Sequence, residues 1–104
     1  MDLAEFEHRL SDDRPPASLS RPLCALWYAY RGEWDAAHRL AQQAEGDPDH
    51  DWVHAHLHRI EGDLGNAAYW YRRARRPVAT GDLREERRAI AAALLDRRAT
   101  DPAA

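Results

Sequence analysis

Two stretches of this chain carry the same pattern of small and apolar residues at one fixed offset. Gly62, Ala67 and Ala74 follow Gly32, Ala37 and Ala44 by 30 positions each. Each glycine falls near the end of an apolar stripe spaced i, i+4, i+7, i+11: Leu23, Trp27, Tyr30 and Trp34 in the first copy, Val53, Leu57, Ile60 and Leu64 in the second. That spacing returns to one side of an α-helix. A repeat of this length is a single supersecondary unit, which buries its apolar side only by stacking on a neighbour. Nothing in the sequence alternates with the period of a strand, so the expected fold is all-α: two antiparallel helical hairpins stacked on each other.

The flanks read as helices too. Leu3, Phe6 and Leu10 sit at helical spacing within Asp2–Leu10, and the prolines of Asp12–Pro16 stop that segment. Ser20 followed by Pro22 marks a helix start. Gly46-Asp47-Pro48 ends the first unit and Pro77 the second. Asp82 with Glu85 three residues on forms a capping box for a last helix over 82–99. Its early acids and late arginines agree with the helix dipole, and its apolar side suits a cap on a repeat stack. One domain over 1–104 is expected, with a repeat core over 20–77 and a frayed tail over 100–104.

The segment Gly32-Glu33-Trp34-Asp35-Ala36-Ala37, followed by Ala41 and Ala44, resembles the central pattern of tetratricopeptide repeats. Gly62-Asp63-Leu64-Gly65-Asn66-Ala67, followed by Tyr71 and Ala74, is similar. The resemblance covers about residues 20–77 and implies stacked helical hairpins that recognise a protein or peptide. Two features depart from the family pattern. The period is 30 against the usual ~34, and the second unit has His54 and His58 where a large apolar residue and then Tyr are usual.

Composition sets outer bounds. With 104 residues, 44% hydrophobic and 32% charged, the chain builds one modest core. Its apolar runs, Ile90–Leu95 among them, are far too short to span a membrane. The acidic start MDLAEFEH is unlike a signal peptide, and the single cysteine, Cys24, forms no internal disulfide. A cytoplasmic protein is expected. Charge is split along the chain: six Arg against thirteen acids over 1–66, and nine Arg against five acids over 67–104. The bland reading is that the two halves attract each other across the fold. A nucleic-acid face built on Arg72, Arg73, Arg75 and Arg76 fits poorly with a net charge of −3.

The most unusual stretch is Trp52–Asp63. On a helix His54, His58 and Glu61 share one stripe, extended a turn earlier by Asp51. Each follows a core residue by one position, about 100° round, so the stripe borders the core. Carried back by the repeat offset, His54, His58 and Glu61 fall on Cys24, Tyr28 and Arg31. A polar pocket of Tyr28, Arg31, His54, His58 and Glu61 is therefore expected. Three uses compete for it. Arg31 pairs with Glu61 in a purely structural network. Alternatively His54, His58 and Glu61 hold a divalent metal such as zinc. In the third, a small molecule or peptide binds with histidine as donor or general base. His56, with Arg59, is assigned to the surface.

Tyr69-Trp70-Tyr71 is the second anomaly. Tyr71 follows the core side of its helix, and the other two rings cannot both join it. The bland reading packs them against the last helix. The functional one makes Tyr69, Trp70 and Arg73 an interface, since Trp, Tyr and Arg dominate binding hot spots. No serine or cysteine stands in a nucleophile arrangement, and no glycine loop is built to cradle phosphate. The sequence thus favours a non-enzymatic protein- or peptide-binding module, self-association into a homodimer included, with the metal or small-molecule pocket as the alternative.

Overall fold

The computed structural model describes residues 1–100, with side chains to residue 97. Six α-helices follow in order: α1 (Leu3–His8), α2 (Arg21–Tyr30), α3 (Trp34–Ala41), α4 (Pro48–Ile60), α5 (Leu64–Ala74) and α6 (Leu83–Thr100). Single 3-10 turns extend α1 over Arg9–Ser11 and α3 over Gln42–Ala44. Among the described residues there is no strand, so the chain is all-α. Of the tail expected to fray, 101–104 lie outside the described residues.

Local chemistry sets the ends. Asp2, Asp47, Asp63 and Asp82 each accept a hydrogen bond from a backbone N–H three residues on, which satisfies one of the four orphan donors of a helix start. Ser20 starts α2 without a side-chain cap, Pro22 supplying the pre-set backbone angle instead. Gly32 (φ +75°) and Gly62 (φ +84°) turn the chain between the helices of the two hairpins in the left-handed conformation. Arg75 makes the same reversal after α5 at φ 60°, where an L-residue is strained.

The main core joins Phe6, Leu23, Leu26 and Trp27 to Val53, Leu57, Ile90 and Leu94. Each fully buried side chain of this size contributes about 1.5–3 kcal/mol. A second cluster, Ala55, Ala67, Trp70 and Tyr71, lies between α4 and α5. The last helix packs its apolar side into this core through Ile90, Ala91, Leu94 and Leu95. The two halves of opposite charge also meet: Arg88 grips Glu7 at 2.9 Å, Arg73 stands 3.9 Å from Asp51, and Arg97 pairs with Asp49.

Buried polar chemistry ties α6 to the second hairpin. His56 is wholly buried, which corrects its assignment to the surface. Its Nδ1 lies 2.6 Å from Glu86, which also accepts from Arg59 at 3.0 Å and from the Tyr71 hydroxyl. Burial alone would raise the Glu86 carboxyl, but the hydrogen bonds from His56 and Tyr71 outweigh it and hold the group below the usual carboxylate range. His56 lies about 100° round α4 from Leu57, and α6 covers that side through Glu86.

Candidate metal centre

Helices α3 and α4 are locked together by one hydrogen bond, the Trp34 indole N–H donating to the Leu57 carbonyl at 2.7 Å. This fixes the register between His38, one turn after Trp34, and the α4 pair His54 and His58. The result is a cluster in which His38, His54 and His58 each offer one ring nitrogen, all within 4.8 Å of one another. His38 Nε2 lies 3.1 Å from His54 Nε2. Two nitrogens bound to one tetrahedral zinc at its usual bond length stand about 3.3 Å apart.

Indoles hold the rings. Trp34 stacks on His38 at 4.6 Å and 14°, and Trp70 of α5 stacks on His54 at 3.9 Å and 16°. The rings of His54 and His58 are themselves stacked at 4.8 Å. Behind them, His58 Nδ1 lies 2.6 Å from Glu61 Oε1. A carboxylate only accepts, so Nδ1 carries a proton, and in the neutral ring that leaves Nε2 as the atom free to ligate a metal. That Nε2 is 3.5 Å from the Asn66 amide.

The surroundings favour the uncharged form of two of the rings. Burial, reinforced by the neighbouring His38 and His58, pushes His54 down to about 3. Burial, then His58, also lowers His38. Both are neutral imidazoles near pH 7, the form that ligates. His54 is 2% exposed, and its Nδ1 has no hydrogen-bond partner.

Of the five residues expected to share a pocket, His54, His58 and Glu61 come together, with Glu61 behind His58. Tyr28 does not join them; its ring sits edge-on to Trp27 at 5.2 Å. Arg31 turns to the N-terminal loop, donating to the carbonyls of Leu10 (3.0 Å) and Asp12 (2.6 Å) and pairing with Glu33 at 2.7 Å. No Arg31–Glu61 pair forms, because α4 lays this stripe against α3 rather than beside the equivalent stripe of α2. Cys24 is half-buried, its Sγ 3.8 Å from the Leu19 carbonyl.

The structure also splits the expected interface. Trp70 is buried at 8% exposure beneath Arg73, while Tyr69 is 43% exposed and accepts a hydrogen bond from Arg73 at 2.9 Å. Sequence reasoning missed His38 altogether. The signal was present: it stands four residues after Trp34, and a histidine pair one turn apart needs further ligands from another helix. Comparison with known protein families, with curated proteins and with solved structures gave no match.

Proposed function

We propose that this protein binds a divalent transition-metal ion through His38, His54 and His58. The observation that carries the reading is the convergence of three imidazole nitrogens within 4.8 Å, two of the rings buried. Three imidazoles without a thiolate suit zinc, cobalt, nickel or copper(II) rather than softer ions. Glu61 supplies the outer hydrogen bond that orients His58.

The test is titration of the untagged, chelator-stripped chain with zinc or cobalt(II), followed by native mass spectrometry and by the fluorescence of Trp34 and Trp70. One ion per chain is expected, with binding lost in His38→Ala and weakened about tenfold in Glu61→Gln. Absence of binding, or binding unchanged in His38→Ala, sinks the proposal.

A second reading keeps the chain as a cytoplasmic helical-repeat module, stacked in the tetratricopeptide manner, that binds a protein or peptide or a second copy of itself. The features favouring it are Leu64 and Val78, 66% and 52% exposed, which line a largely apolar cleft of about 290 Å³ with Ala67 and Tyr71. Tyr69 and Arg73 remain accessible on the same helix, α5. No helix of the described residues is long and apolar enough to cross a membrane.

A further inference from the structure

Resting on the metal-binding reading, we infer that His58 serves two metal subsites in alternation. The inner one is formed with His38 and His54. The outer one, formed with Glu61 and Asp63, is rich in oxygen and takes an ion of the manganese(II) type, and the two are never filled together.

The shared ring is the first ground. Two groups of donors converge within 4.8 Å among the described residues, His38 with His54 and His58, and His58 with Glu61 and Asp63. The outer group is assembled by the turn between α4 and α5. Gly62, at φ +84°, reverses the chain there, and the Asp63 N–H returns to the His58 carbonyl at 2.9 Å. Glu61 Oε1 lies 2.6 Å from His58 Nδ1. Asp63 uses Oδ1 to cap α5, accepting from the Asn66 N–H at 3.2 Å, and its second oxygen stays available to an ion.

The proton on the ring makes the subsites exclusive. A neutral imidazole offers a metal one nitrogen and keeps its proton on the other. While Nδ1 donates to Glu61, Nε2 is the ligand of the inner subsite. An ion held by Glu61 and Asp63 takes Nδ1 instead, and the proton moves to Nε2. Asn66 suits both states: its side-chain amide lies 3.5 Å from that Nε2, and an amide presents a donor or an acceptor according to which way it is turned. An ion in one subsite also sets its double charge across a single ring from the other, where it repels a second dication.

The donor sets then sort the ions. Three neutral imidazoles suit zinc and its neighbours, whereas carboxylates suit manganese(II). The two carboxylates of the outer set also offset the double charge of the ion they hold.

The experiment uses the full, untagged, chelator-stripped chain, titrated with manganese(II) and with zinc. The paramagnetic resonance signal of free manganese reads its binding, and native mass spectrometry reads how many ions each chain carries. The variants are His38→Ala and Asp63→Asn, the second keeping a side chain able to cap α5. One manganese per chain is expected, released as zinc is added, with no species holding both. Asp63→Asn should weaken manganese at least about tenfold and leave zinc unchanged, and His38→Ala should do the reverse. A chain carrying both ions overturns the inference, as does manganese lost in His38→Ala together with zinc, which marks a single site. Manganese that does not bind, or binds Asp63→Asn as well as the parent, also overturns it. In each of those cases zinc held by the parent and lost in His38→Ala leaves the metal-binding reading standing. Failure of zinc to bind the parent is the separate result that removes that reading, and the alternation with it.

Discussion

In the absence of metal, His54 should make the fold measurably acid-sensitive well above the range where carboxylates titrate. Its imidazole is held at about 3 in the folded chain against about 6.5 when unfolded. The folded pKa is depressed, so between those values the unfolded chain holds a proton that the folded chain refuses. The stabilising contribution is complete above pH 6.5 and drains away as pH falls toward 3. Between pH 7 and pH 5 the loss from this one group is about 2 kcal/mol, a large share of a small domain's stability. His38, also lowered, adds loss of the same sign. The assay is urea unfolding at the two pH values in chelator, with helical dichroism as the probe. His54→Phe keeps a ring against Trp70 but cannot titrate, and its loss between pH 7 and 5 should be smaller than that of the parent by about 2 kcal/mol. Equal losses in the two proteins would refute the reasoning.

Three further outcomes follow from the packing. Glu86→Leu strands Arg59 and His56 beneath α6 and should cost about 3 kcal/mol or more in a thermal melt; a loss under about 1 kcal/mol would show that the network is not held as a unit. Arg75→Gly relieves the left-handed strain at φ 60° and should raise stability by about 0.5 kcal/mol, after the glycine's entropy in the unfolded chain is counted; destabilisation would mean the Arg75 side chain makes a stabilising contact. Trp70→Ala should cost about 3 kcal/mol with no change in sedimentation, whereas a changed oligomeric state would place Trp70 at an interface.

The helices were legible because their signals are local. The offset of 30, the caps at Asp63 and Asp82 and the stop at Gly46-Asp47-Pro48 each act within a few residues. The site was half legible for the same reason. His54, His58 and Glu61 announce themselves as one stripe on one helix, but what faces that stripe depends on how hairpins stack. The repeat offset pointed from α4 back to Cys24, Tyr28 and Arg31 on α2. In the folded chain that side of α4 meets α3 instead, and His38 takes the place given to Tyr28 and Arg31. His56 misled in the opposite way: its polarity suggested solvent, yet α6 brings Glu86 across to meet it. Trp70 and Tyr69 differ by one position, about 100° of helix, and no local rule decided which of the two went in.

The role of α6 in the core bears on how the chain is made. Ile90, Ala91, Leu94 and Leu95 pack in the same cluster as Phe6, Leu23 and Leu26, and Arg88 meets Glu7 across 81 positions. A ribosome that has just finished α5 has released a chain with an unfilled seat along α1 and α2 and a solvated Glu7. The two hairpins can form as they emerge, but the core closes only when the last segment arrives. A nascent chain stalled ahead of α6 would therefore present Phe6, Leu23 and Leu26 to chaperones, and release of the last segment would withdraw them.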